Sequence, residues 1–214
     1  MAIALDAVST PTGNEGSGNL TVSHTCTGDD RILFVGFHTD ADDVTSVTYA
    51  TVAMTRVATS VQVAGDKWCH LFYLVAPATG ANNIVVSATT DTSIFGYGVS
   101  YTGAAQSGQP DSSATNAVTG TTSIALATTV VAEDCWLVCF AKNDIGNFGV
   151  GAGTTARGGA QVNQIADSNG TVSTGSQSLN LTYSSGDAAG VVASFKPFVA
   201  SATTSNFMLL GVGT

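Results

Sequence analysis

The sequence predicts an all-β protein: an antiparallel β-sandwich of jelly-roll-like type, built from pseudo-duplicated halves. Three observations predict it. Segments rich in Val, Ile, Thr and aromatic residues alternate with clusters of Gly, Asn, Asp and Ser along the chain, the pattern of strands joined by turns. No segment repeats its apolar residues at helical spacing between capping residues. Two wholly apolar runs, at 32–37 and 135–140, follow similar lead-ins about 104 positions apart, and a strand apolar on both faces is one buried on both sides.

Taken in order, strands are expected at 3–8, 19–25, 31–38, 44–50, 52–58, 67–75, 82–89 and 94–102, then at 115–119, 122–130, 135–142, 146–152, 160–166, 176–183 and 188–196. The runs Ile32-Leu-Phe-Val-Gly-Phe37, Trp68-Cys-His-Leu-Phe-Tyr-Leu-Val75 and Cys135-Trp-Leu-Val-Cys-Phe140 should form the centre. Residues 179–183 alternate instead, which turns Leu179, Leu181 and Tyr183 toward a core. The echo between halves runs from Leu20–Asp30 to Ile124–Asp134, each ending in an acidic pair before a buried strand. The halves also close alike, on Gly98-Val-Ser-Tyr101 and Val192-Ala-Ser-Phe195. The Gly-, Ser- and Asp-rich loop 103–116 carries the chain from one sheet edge to another, or hinges two small sandwiches. The reading adopted is one β-sandwich domain over 1–198 with a C-terminal arm over 199–214. The arm ends in the apolar stretch Phe207, Met208, Leu209, Leu210, Gly211, Val212, which must bury on its own sheet edge or on a neighbouring subunit, as in strand addition.

Composition mainly excludes. The 214 residues are 44% hydrophobic and 10% charged, too apolar for a disordered chain. No apolar run approaches the ~20 residues a membrane helix needs, and the first residues do not read as a signal peptide. The net charge is −9, and the six basic residues (Arg31, Arg56, Lys67, Lys142, Arg157, Lys196) are scattered. Nucleic-acid binding, which neutralises phosphates with Lys and Arg, is not expected.

The candidate chemistry is sparse. Cys26, Cys69, Cys135 and Cys139 read as small buried hydrophobes. Cys135 and Cys139, on one strand, lie too far apart for a disulfide. His24, His38 and His70 lack a nucleophile-elbow motif, and His70 reads as a core residue. The cluster Asp40, Asp42, Asp43 is the best metal candidate, but it lacks the central Gly and closing Glu of an EF-hand calcium loop and reads as solvated turn; Asp29 and Asp30 belong to the other end of the same strand. Residues 149–155 mimic a phosphate loop without its Lys or its helix. Asn19, Asn169 and Asn180 open glycosylation sequons. Tyr49, Tyr97, Tyr101, Phe148 and Trp68 could form a sugar platform or a core. No catalytic residue, cofactor or metal is assigned, and no enzymatic activity is expected.

The segments Val44-Thr-Ser-Val-Thr-Tyr-Ala-Thr-Val-Ala-Met-Thr-Arg56, Leu71-Phe-Tyr-Leu-Val-Ala-Pro-Ala-Thr-Gly80 and Val99-Ser-Tyr-Thr-Gly-Ala-Ala-Gln106 resemble β-sandwich virion structural proteins of tailed bacteriophages, over roughly residues 20–198. The first is a hairpin whose usual Asn-Gly-type turn is here Ala50-Thr51. The resemblance carries no catalytic residues with it. It implies a virion structural protein; the leader-free start, short apolar runs and scattered basic residues agree with one made in the host cytoplasm, with no membrane or nucleic-acid partner expected. The expected role is a capsid decoration (cement) protein that bridges major capsid or tail subunits as a homotrimer. Phe207, Met208, Leu209, Leu210 and Val212 would be its contact element. The alternative is a carbohydrate- or host-surface-binding module of a phage tail, fibre or bacterial surface structure.

Overall fold

The computed structural model describes residues 1–15, 18–89, 93–160 and 162–200. The contact element expected at 207–212 lies outside them. Every strand pairing in the described residues is antiparallel, so the predicted all-β antiparallel sandwich is the fold.

The strands in chain order are β1 (Ala4–Val8), β2 (Thr12–Glu15), β3 (Asn19–Cys26), β4 (Ile32–Thr39), β5 (Val44–Tyr49), β6 (Val52–Ala53), β7 (Thr55–Arg56), β8 (Val61–Gln62) and β9 (Trp68–Val75). They continue with β10 (Gly80–Ala88), β11 (Ser93–Thr102), β12 (Ser112–Val130), β13 (Trp136–Asn143), β14 (Gly149–Val150), β15 (Thr155–Ala160), β16 (Asn163–Asp167) and β17 (Gly175–Phe195). They form three sheets. One runs β1-β11-β4-β9-β7, with β2 beside β11 and β8 beside β9. A second runs β3-β10-β5-β6. The third runs β12-β17-β13-β16-β15, with β14 beside β17.

The third sheet is two layers made from one ribbon. β12 and β17 pair along their whole length, but the register slips between Val118 and Ser123, and Gly120 there has φ +62°. A strand that slips in this way can turn a corner and enter a second sheet. The far part of β12 therefore folds back over the near part: Thr128 Oγ1 donates to Ser112 Oγ at 2.9 Å, and Asn116 Nδ2 to the Ala125 carbonyl at 2.9 Å.

Four layers stack around three cores. Leu33, Val35 and Phe37 of β4 meet Leu20, Val22, Val47, Ile84 and Val86 of the β3-β10-β5 sheet. Leu137, Cys139 and Ala141 of β13 meet Ile124, Leu126, Leu179 and Leu181 of the folded-back ribbon. The other faces of β4 and β13 meet each other: Ile32 and Phe34 pack with Trp136, Val138, Phe140 and Phe195. This explains why β4 and β13 are buried at every position, as their apolar runs predict. β9 is buried only through its first half, because its outer neighbours β7 and β8 are two residues each.

The main strands of the halves correspond, while β2 and β6 have no counterpart. The order β1-β11-β4-β9 repeats as β12-β17-β13-β16, and β3-β10-β5 repeats as β12-β17-β14. Position by position, β3 and β4 match residues 123–130 and 136–143 with the expected offset of 104. β3 buries Leu20, Val22, His24 and Cys26; its counterpart buries Ile124, Leu126, Thr128 and Val130. Asp30 and Asp134, one offset apart, both adopt positive φ (50° and 58°).

The expected strands are adjusted in several places: 115–119 and 122–130 are one strand, β12, 176–183 and 188–196 are one, β17, and 146–152 is reduced to β14. The stretch 52–58 is two short strands in different sheets, broken at buried Met54, where the chain crosses between layers. The stretch 160–166 is the second arm of a hairpin whose first arm is β15. β2 carries no strand signal, since Gly13 weakens one; the structure uses that glycine to pass beneath Phe95, whose Cδ2 would lie 2.8 Å from a Cβ there.

Candidate functional surfaces

Each half pins its corner with a buried relay that ends on an aspartate. In the first half, the Gly98 N–H donates to Ser9 Oγ at 3.3 Å, and Ser9 Oγ donates to His24 Nδ1 at 2.7 Å. The His24 ring donates from Nε2 to Ser100 Oγ at 2.9 Å, and Ser100 donates to Asp6 Oδ2 at 2.8 Å. This tautomer follows from the chain, because Ser100 spends its hydrogen on the acceptor-only carboxylate. Asp6 also receives the Thr27 N–H at 2.9 Å and the Thr27 hydroxyl. In the second half, Thr128 donates to Ser112, Ser112 pairs with Ser194 at 2.8 Å, and Ser194 donates to Asp111 Oδ2 at 3.0 Å. Asp111 also receives the N–H of Val131 at 2.8 Å and of Ala132 at 3.2 Å.

Ser100 and Ser194 are the serines of the two closing motifs, and His24 and Thr128 are one offset apart. One imidazole therefore does in the first half what two hydroxyls do in the second. The Asp6–Ser100–His24 group shares its residue types with a hydrolytic triad but not its geometry. The carboxylate contacts a serine rather than the imidazole, both ring nitrogens are engaged, and His24 is 2% exposed. No face of this group is open to a substrate, and its counterpart keeps the same hydrogen bonds without a titrating ring. Its work is to tie β1 to β3 where the two sheets meet.

Burial holds all three histidines in the neutral form. It depresses His24 to about 4 against the opposing pull of Asp6. It depresses His38 to about 4 although Nδ1 donates to Asn163 Oδ1 at 2.7 Å. His70, buried and then beside the Arg56 guanidinium, falls to about 3. Arg56 Nη1 approaches His70 Nδ1 at 3.3 Å, so the ring carries its hydrogen on Nε2, which faces Thr39 Oγ1 at 2.7 Å. Asp6 is lowered: burial works against it, but the hydrogen bonds from Thr27 and Ser100 prevail.

The acidic loop after β4 is tied to cations of the protein. Asp42 pairs with Arg56 at 3.3 Å and Asp40 with Lys67. Asp29 and Asp30 do lie beyond the opposite end of β4. Among the described residues, no group of three or more His, Cys, Asp or Glu is placed to hold a metal ion. All four cysteines are buried free thiols. Burial pushes Cys69, Cys135 and Cys139 up to about 12, the reverse of an activated nucleophile. Among the aromatics offered as a sugar platform, Tyr49, Tyr97 and Tyr101 are wholly buried. Trp68 and Phe148 are half-buried, with Phe148 edge-on to Tyr183. No helix among the described residues is long and apolar enough to cross a membrane.

Two features face outward and remain unexplained by the core. The first is the pair of outer layers. The strands β3, β5, β6 and β10 contain no Asp, Glu, Lys or Arg, and neither do β14 or the parts of β12 and β17 that fold back over the second half. Their solvent faces carry Thr21, Ser23 and Thr25 on one side and Ala125, Ala127 and Thr129 on the other. The second is an apolar end where the chain approaches residue 200. A cleft of about 560 Å³ lies there between Gln106, Ala132, Asp134 and Phe198, and one of about 480 Å³ between Ile3, Thr171 and Ala200. Around them Met1, Val131 and Val199 are 65–78% exposed.

No family model matches the chain, and neither a curated protein nor a solved structure shows significant similarity to it.

Proposed function

We propose that this chain is a virion structural protein: a capsid decoration protein that bridges neighbouring capsid or tail subunits. The observation that carries this reading is the duplication. It gives the molecule two like, uncharged sheet faces on opposite sides, and a body with two like faces can hold two like neighbours. Charged residues are the usual guard against contact between sheets, and these faces lack them while the molecule as a whole carries −9. An acidic bridging subunit suits the outside of a particle better than its DNA-filled interior.

The apolar end supports the same reading. Ala200 stands beside the second cleft, and the stretch Phe207–Val212, which follows it in the chain, is the contact element of the proposal. The deeply set aromatics favour bridging over the alternative, a glycan- or host-surface-binding module, because stacking on sugars needs exposed rings.

Light scattering of the purified chain tests the proposal. A trimer of the 21.5 kDa chain is the expected result. Removing 201–214 should weaken assembly and binding to capsids that lack the protein, with the melting temperature of the body unchanged. A monomer that neither binds such capsids nor loses anything on truncation overturns the reading, and a glycan screen that finds a ligand would replace it.

A further inference from the structure

The interface between the halves has counterparts facing each other. Gly36 and Phe140 hold the same position in their halves, and they meet: a Cβ on Gly36 would lie 2.5 Å from Phe140 Cδ2 and 2.6 Å from its Cβ. Tyr101 and Phe195 close the two equivalent motifs, and their ring centroids stand 4.9 Å apart. Further along, the Phe198 N–H donates to the Gly103 carbonyl at 2.7 Å, and Ala104 bridges Pro197, again joining equivalent stretches. Contacts between equivalent positions are what a two-fold axis produces. Gly36 pairs with Tyr97 of β11 and Phe140 with Val191 of β17, so the first contact lies beside these two strands, the second on them and the third just past their ends, along a line running with the strands.

We infer that the halves pair as an internal pseudo-dimer, and that Gly36 and Phe140 act as hole and knob that make the pairing exclusive to unlike halves. Two first halves brought together would set Gly36 against Gly36 and leave the volume of a phenyl ring empty. Two second halves would set Phe140 against Phe140, where the backbone approach admits no side chain at all on one side. Only the unlike pair fills the space, and interiors tolerate neither voids nor overlap. The device matters because the two faces share their strand order and apolar character, and it acts beside hydrogen bonds between unlike residues, Tyr101 to Asp167 at 2.7 Å and His38 to Asn163 at 2.7 Å. Were like pairing permitted, copies of the chain could join first half to first half and second half to second half, an arrangement that does not close. Exclusive pairing keeps each chain folded on itself, with its two outer faces directed apart.

The test uses the full chain and three variants: G36F, F140G and the exchange G36F/F140G. Each single variant should lower the melting temperature by roughly 6–20 °C, the range for losing or overfilling a buried phenyl site in a domain of this size. The exchange restores one knob and one hole, so it should regain at least half of either loss. F140G alone makes the two faces equivalent at the axis, and light scattering should show species larger than the wild-type assembly; these should vanish in the exchange. An exchange no more stable than the weaker single variant overturns the inference, and so does an F140G protein as uniform in mass as the wild type. If G36F fails to fold, G36A, F140G and their combination ask the same question: a Cβ at 36 should cost stability opposite Phe140 and little once F140G has removed both the ring and the Cβ it would meet, and additive losses overturn the pairing.

Discussion

The two corner relays do the same mechanical job with different chemistry. Asp111, Ser194, Ser112 and Thr128 hold the second half with groups that do not titrate, apart from the aspartate. Asp6, Ser100, His24 and Ser9 hold the first with an imidazole in the middle. The difference extends further: His24, His38 and His70 all lie in the first half, and the second half has none. The duplicated architecture thus carries its buried imidazoles in one half only. The residues that carry load and the residues that carry charge are separable, because the load survives replacement of the ring by hydroxyls.

Acid is therefore the strongest way to break the equivalence. Each histidine has a folded pKa below its ordinary 6.5, so above pH 6.5 the ring is neutral in both states and contributes no pH dependence. Between 6.5 and about 4 the unfolded chain binds protons that the folded chain refuses, so stability falls as pH falls, by up to about 3 kcal/mol for His24. Asp6 and Asp42, lowered in the fold, hold their contribution through that window and lose it only below the ordinary carboxylate range. Hydrogen exchange at pH 4.5 should show the amides of β3, β4 and β11 losing protection before those of β13 and β17. H24T, which gives the first half the residue of the second, should make the stability profile shallower between pH 6.5 and 4, the remaining slope coming from His38 and His70. A profile as steep as wild type would remove His24 from the account.

The anchoring aspartates give the next largest effect, and here the halves should behave alike. D6A and D111A each strand three donors, one of them a buried serine hydroxyl. Each should cost about 2 kcal/mol in chemical denaturation, with part of the loss returned by water at the exposed amides. D6N and D111N keep an acceptor and should cost less. Unequal losses at neutral pH would mean the corners are equivalent in shape but not in strain.

Much of this architecture is legible in the sequence, for a physical reason that also marks the limit. β4 and β13 announce themselves because burial on both faces demands an unbroken apolar run, a purely local signal. The echo between 20–30 and 124–134 is local too, since each lead-in must alternate before it turns. The relays are not local. Asp6 meets Ser100 only after β1 has paired with β11, and a lone aspartate near the start of a chain looks like any solvated turn residue. The repeated serine at 100 and 194 is the one trace the sequence carries, visible only once the closing motifs are aligned. The hole at Gly36 is likewise silent, because a glycine in a strand reads as weakness until the facing Phe140 is known. The uncharged outer layers were open to view, but strand assignment had to precede the recognition that no charge falls on them.

The smallest effect concerns a feature the second half lacks. β5 and β6 are joined by the two-residue turn Ala50-Thr51, with φ of 47° and 67°. Both residues thus occupy the left-handed region that Asn-Gly fills at little cost and that a β-branched residue enters only under strain. The sequence signals the departure from Asn-Gly, and the structure shows that the turn keeps its geometry regardless. Tyr49, the residue before it, is buried and donates its hydroxyl to the His24 carbonyl at 3.3 Å and the Gly80 carbonyl at 3.2 Å, so the strand end is pinned and imposes its conformation on the turn. Relieving the strain at Thr51 should then stabilise the body without moving it. T51G should raise stability by about 1 kcal/mol, the cost of one residue held left-handed, offset in part by the greater freedom of glycine in the unfolded chain. The second half should not respond, because its partner to β17, the two-residue β14, has no such hairpin. Denaturation of T51G, read beside hydrogen exchange in β5 and β13, separates the outcomes. A gain confined to β5 and β10 means strain stored locally in the first half. No gain, or a loss, would mean that the Thr51 side chain itself contributes at the exposed edge of the outer layer, on one of the two faces proposed to bridge.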